Sequence, residues 1–210
     1  MINLHIEKSL KKNKQTIFLF HGVIDKHKSS IRNYNRKHIS VNEFYKFLKK
    51  LKKLGNCISM NELYYSYKNK LKLPYYSYCI TFDDGFYNNY KYAAPILNDL
   101  KLKSTFYVCS DFILNNRMSW IDRIESVVEK LNKGEIETIY GNFAFNSSNQ
   151  SKIIFLENIR KTIKNNKSYD PIKFADNFQK RLLNKTFDIS KNILDKKMTI
   201  KQLLSIDQNE

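Results

Sequence analysis

Apolar residues recur along this chain in two rhythms, short solid runs and longer stretches with one apolar helical face. The solid runs are TIFLFHG (16–22), NCIS (56–59), SYCITF (77–82) and STFYVCS (104–110). Their length and their aromatic and β-branched content predict buried strands, with His21 at the carboxyl end of the first and a loop after it. S-V-N-E from Ser40 is a capping box, and Phe44, Phe47, Leu48, Leu51 and Leu54 follow at helical spacing until Gly55. A second box, S-M-N-E from Ser59 to Glu62, opens a helix predicted to reach about Lys70. Residues 90–100 predict a helix carrying Pro95, which has no N–H to give and should kink or restart it near Ala94. Strands and helices that alternate with short connections predict a parallel α/β sheet.

After Cys109 the rhythm changes. Ser119 caps a predicted helix from Trp120 to about Lys133, with Gly134 as its stop. Residues 136–145, with Gly-Asn near the middle, read as a small hairpin. From Ser151 the spacing is helical, through Ile153, Leu156, Ile159 and Ile163, then Phe174, Phe178 and Leu182 after Asp170-Pro171. Residues 198–210 start one more helix. The expected organisation is an α/β half over 1–114 and a mainly helical insertion or lid over 115–210. No internal repeat is visible.

With 210 residues, 42% of them hydrophobic, the chain can build one substantial core, or one core and an appended piece. The formal net charge of +17 would attract anionic polymers or lipid head groups. Of the 37 basic residues only six are Arg, however, and phosphate readers favour the rigid Arg fork, so no specific nucleic-acid partner is expected. The runs KKNK (11–14) and KKLKK (49–53) read as solvated faces. Three cysteines, widely spaced and odd in number, predict reduced, buried thiols. No stretch reads as a signal peptide or a membrane span, so a soluble, cytoplasmic protein is expected.

The candidate chemistry lies at the end of the third strand, in Asp83-Asp84-Gly85. Parallel α/β sheets gather ligand-binding groups at the carboxyl ends of their strands. Adjacent carboxylates on a turn point in different directions, so one can coordinate a metal while the other accepts a proton from metal-bound water. The same triplet is also an ordinary turn and helix-capping sequence, and His21 could be a hydrogen-bonded strand-end histidine.

The string ITFDDGFYNNYKYAAPILNDLKLKSTFYV (80–108) resembles the first signature of the polysaccharide deacetylases, carbohydrate esterase family four. LFHGV (19–23) and FYKFLKKLKKLGNCISMNELY (44–64) are similar to flanking segments of the same family. The resemblance covers about residues 17–108. It implies a partial (β/α) barrel and a metal-dependent hydrolase that removes acetyl groups from acetylated sugars. On that reading Asp83 is the general base, Asp84 a ligand of a divalent metal, zinc first among the candidates, and His21 a group that positions substrate. The family's H-[ST]-x-x-H ligand pair is missing: the four histidines, His5, His21, His27 and His38, all precede the aspartates and none is spaced that way. The resemblance therefore implies a chain that stops short of its metal-binding histidines, with little or no activity, no cofactor where the site stays incomplete, and an open sheet edge through which an oligomer could form. A non-catalytic carbohydrate-binding or assembly protein on the same fold is the alternative.

Overall fold

The computed structural model describes residues 6–26 and 31–207. His5 and His27 lie outside them, as do the last three residues of the predicted terminal helix. The chain forms two compact units, the first from residues 1–27, 37–116 and 192–210, the second from 28–36 and 117–191.

The first unit is a mixed α/β layer. After a single helical turn, α1 (Ile6–Ser9), come β1 (Thr16–Phe20), β2 (Gly22–Ile24), β3 (His38–Ser40), α2 (Val41–Leu54), β4 (Asn56–Cys57), α3 (Met60–Lys68) and β5 (Ser77–Phe82). A π-helical segment (Asn89–Ala93), α4 (Ala94–Leu100), β6 (Thr105–Phe106) and α5 (Ser110–Asn115) follow. Among the described residues all pairings between these strands are parallel; isolated antiparallel bridges join Lys11 to Lys14 and Phe86 to Lys197. β1 pairs with β5 from Tyr78 to Phe82, so β4, at the start of β5, and β6, at its end, share the opposite edge. β2 and β3 form a separate pair. Among the described residues the strands close no barrel.

Both predicted capping boxes form. Ser40 and Glu43, and Ser59 and Glu62, exchange side-chain and backbone bonds in both directions, satisfying amides that the first helical turn would otherwise leave open. Phe44, Phe47, Leu48 and Leu51 are the buried face of α2. They pack with Phe18, Tyr78, Ile80 and Phe82 of the sheet and with Leu97 and Leu100 of α4. Phe82 is fully buried in the middle of an aromatic stack, 5.6 Å from the Phe20 ring and 4.7 Å from the Phe106 ring. Gly55 ends α2 in an extended conformation. It is needed there because a Cβ would lie 2.3 Å from the Tyr76 carbonyl oxygen. Pro95 restarts its helix as predicted: the missing N–H falls where the wide π-helical turn gives way to α4.

Several elements differ from the sequence reading. Only Phe18 of β1 is buried; Ile17 and Leu19 point to an uncovered face, 49% and 53% exposed, because alternate residues of a strand face opposite sides of the sheet. No loop follows His21 directly, since β2 begins at Gly22. The run 104–110 shrinks to the two residues of β6, because no described strand lies beyond it to continue the ladder. Cys109 sits just before α5, making no side-chain cap bond, and is exposed, whereas Cys79 is buried and Cys57 half-buried; all three thiols are free.

The second unit contains a 3₁₀ turn (Ile31–Asn33), α6 (Trp120–Lys130), the antiparallel hairpin β7 (Gly134–Thr138) and β8 (Gly141–Phe145), α7 (Asn149–Asn165) and α8 (Pro171–Leu183). Ser119 caps α6 as predicted, but the helix ends at Lys130 and Gly134 opens β7 instead. A Cβ on Gly134 would meet the Phe145 ring at 2.6 Å. The hairpin turn falls on Ile139-Tyr140, one step before the Gly-Asn pair, and Gly141 takes the φ of 119° that follows it. The core joins Ile124, Val127 and Val128 of α6 to Phe155, Leu156 and Ile159 of α7 and to Phe174 and Phe178 of α8. The chain then returns to the first unit, whose last described element is α9 (Ile200–Asp207), which Thr199 and Gln202 open with a reciprocal pair of bonds the sequence reading missed. Among the described residues no helix is long and apolar enough to cross a membrane.

Candidate functional site

The site is built by strand register. Phe20 pairs with Phe82, and the Asp83 amide donates to the Phe20 carbonyl at 3.0 Å. His21 and Asp83 are thus each the first residue beyond the paired ends of β1 and β5. The next two residues turn sharply, Asp84 with φ 68° and Gly85 with φ 63°. A side chain at Gly85 would meet both this left-handed backbone and Ile113 Cδ1, 2.6 Å from an added Cβ. The turn is held from outside by the segment after residue 195. Tyr87 N–H donates to Lys196 O at 2.8 Å and Met198 N–H to Gly85 O at 2.9 Å. Lys197 is buried, its Nζ 3.4 Å from the centre of the Phe86 ring.

Behind the turn lie two asparagines whose importance the sequence reading missed. Both are fully buried. Asn89 Nδ2 donates to the His21 carbonyl at 2.9 Å. Asn88 Oδ1 accepts from Val23 N–H at 3.2 Å, and its Nδ2 donates to Ile193 O at 3.0 Å and to His38 Nδ1 at 3.2 Å. His38 is therefore the tautomer with its proton on Nε2. Gly22 makes this packing possible: a Cβ there would lie 2.1 Å from His38 Nδ1. The only hint in the sequence was the doubled Asn one helical step past D-D-G.

His21, Asp83 and Asp84 are each half-buried, and no hydrogen bond or ion pair among the described residues engages their side chains. The helix-capping use of the two aspartates would need a carboxylate oxygen on a following amide, and no such bond forms. Two carboxylates and an imidazole therefore stand at adjoining strand ends, uncommitted. They do not make a metal centre: no group of three His, Cys, Asp or Glu side chains among the described residues could hold an ion. A 610 Å³ hollow between α3 and α4, lined by Glu62, Leu97, Lys103 and Phe106 among others, includes none of the three.

A parallel α/β unit with paired carboxylates at the carboxyl end of its central strand is the class that the fold and the site define. Residues 72–142, a stretch that contains both aspartates, match the polysaccharide deacetylase family. The family is generally metal-dependent. No curated protein sequence matches the chain. Among solved structures, IcaB from Ammonifex degensii is 25% identical, over 58% of this chain and 52% of that one, with a TM-score of 0.44. The Streptococcus pyogenes deacetylase PplD, in complex with acetate, is 24% identical, over 50% and 46%, with a TM-score of 0.42. The deacetylase domain of BpsB from Bordetella bronchiseptica is 13% identical, over 91% and 84%, with a TM-score of 0.37. The chain spans about half the length of the first two structures, 52% and 46%.

Proposed function

We propose that this chain is a polysaccharide deacetylase-type module, a partial (β/α) barrel with a mainly helical insertion, that engages acetylated glycans. Asp83 is the proton acceptor, Asp84 one ligand of a divalent metal and His21 a hydrogen-bonding group that positions the sugar. The observation that carries the reading is that His21 and the Asp83-Asp84 pair, all with uncommitted side chains, follow directly on adjoining strand ends, with both aspartates inside the deacetylase-family stretch.

A divalent metal held in part by Asp84 would supply Lewis-acid polarisation of the acetyl carbonyl and a more acidic water. The residues present do not fit a resident ion, because a catalytic zinc takes three protein ligands and among the described residues no three His, Cys, Asp or Glu side chains, these included, come together to hold one. Activity therefore needs donors from outside the described residues, and the chain alone should release little acetate. Ile17 and Leu19, exposed on β1, mark the sheet face and edge where a further strand or a second copy would add.

Calorimetric titration with zinc, with acetate release from N-acetylated chito-oligosaccharide followed in parallel, tests this. Zinc binding in the millimolar range, abolished by Asp84→Asn, with acetate near background, is expected. Zinc binding unchanged in Asp84→Asn removes that ligand assignment, and rapid turnover indifferent to chelator removes the metal chemistry altogether. The incomplete donor set also favours a second reading, a non-catalytic glycan binder, which predicts oligosaccharide binding that chelators leave unchanged.

A further inference from the structure

At the other end of β5, roughly 20 Å from Asp83 at the usual rise per strand residue, two distant parts of the sequence meet. Tyr76, which immediately precedes β5, donates its amide to the Lys12 carbonyl at 3.2 Å, and Lys12 Nζ lies 4.9 Å from the centre of the Tyr75 ring. Asn56 fixes the same loop through its own amide on Tyr76 O, 3.2 Å, and its side chain on Tyr75 O, 2.9 Å. The run 11–14 and the loop 69–76 therefore form one anchored surface and are not separate tails.

That surface is both aromatic and basic. Ser66 is the buried residue of α3, and its neighbours Tyr64, Tyr65 and Tyr67, spread around the rest of the helix, are 65%, 62% and 86% exposed. Leu71, Tyr75 and Tyr76 in the loop that follows are exposed as well. Lys11, Lys12, Lys14, Lys68, Lys70 and Lys72 are all exposed around them. No Asp or Glu occurs in residues 8–15 or 63–82, so these two stretches carry net positive charge.

We propose that this surface docks the protein on an anionic lipid bilayer. Lysines attract the anionic head groups, while tyrosines and a leucine settle at the boundary with the acyl layer, where aromatic side chains with a polar tip are favoured. The lack of arginine and the large exposed apolar area favour a bilayer over a nucleic acid, whose phosphates are read best by the Arg fork. The geometry also orients the molecule: with the start of β5 against the membrane, the carboxylate end faces away from it.

Cosedimentation of the full chain with vesicles of phosphatidylcholine, or of phosphatidylcholine and phosphatidylglycerol in equal parts, tests the proposal. Binding only to the anionic vesicles, weakened by salt, is expected. The triple substitution Lys68→Gln, Lys70→Gln, Lys72→Gln should lower the partition coefficient on the order of a hundredfold. Tyr64→Ser with Tyr67→Ser should weaken the binding that survives at high salt. Lys161→Gln with Lys164→Gln, exposed in the second unit, should leave binding unchanged. Equal loss in that control, or absence of vesicle binding alongside tight binding to single-stranded DNA, overturns the proposal. None of these outcomes depends on deacetylase chemistry, so this inference and the functional reading above fail separately.

Discussion

Truncating Asn88 to Ala should loosen the joint on which the candidate site rests. The amide side chain makes three bonds: Val23 N–H at 3.2 Å, Ile193 O at 3.0 Å and His38 Nδ1 at 3.2 Å. Val23 is completely buried, so its N–H would lose its partner without gaining water. A stranded buried donor costs about 1–3 kcal/mol. Ile193 is only half-buried and its carbonyl can rehydrate, so a loss of roughly 2–4 kcal/mol is expected in all. Urea unfolding should show the midpoint lowered with the slope preserved, as for a change confined to stability. Native-state hydrogen exchange should localise the effect, with the Val23 amide exchanging roughly thirtyfold faster or more, since each 1.4 kcal/mol is tenfold. Because Val23 lies two residues after His21, the same variant should broaden the His21 imidazole resonances. A loss below about 0.5 kcal/mol, with Val23 exchange unchanged, would refute the view that Asn88 ties β2 to the carboxylate turn.

Phe82→Ala, in the middle of the Phe20–Phe82–Phe106 stack, should cost about 3–5 kcal/mol in urea unfolding; a cost under about 1 kcal/mol would mean that the stack is not packed. Thiol labelling of the native protein should modify Cys109 rapidly and Cys57 and Cys79 slowly, because burial raises the latter two to about 11, and Cys109→Ser should remove the fast phase. The Lys103 ammonium, 2.6 Å from Glu62, together with the Ser59 amide, holds the Glu62 carboxyl below its ordinary value of 4.5. A lowered folded value means that the stabilisation is present above pH 4.5 and is lost as pH falls through that lower value. Both side chains are about half exposed, so the effect is below about 1 kcal/mol. Glu62→Gln should flatten that part of an acid titration followed by circular dichroism; an unchanged profile would dismiss the pair. Ser59→Ala should cost about 1 kcal/mol through the lost cap.

The chain announces by itself whatever depends on neighbours in sequence. Both capping boxes, the buried face of α2, the span of β5 and the restart at Pro95 are local consequences of hydrogen-bond supply and helical spacing, and all were legible. The D-D-G turn was legible too, because a strand end followed by a left-handed glycine leaves its own mark. Tertiary structure decided the rest. β6 shortened and Cys109 became exposed because a strand extends only as far as a partner pairs with it, and no residue run reveals its partner. The roles of Asn88 and Asn89 emerged only when register placed β2 and the segment around residue 193 within reach of their amides. His21 came beside Asp83, and KKNK beside the Tyr75 loop, through contacts more than sixty residues apart in sequence, a distance over which local propensity carries no information and only the shared core fixes who meets whom.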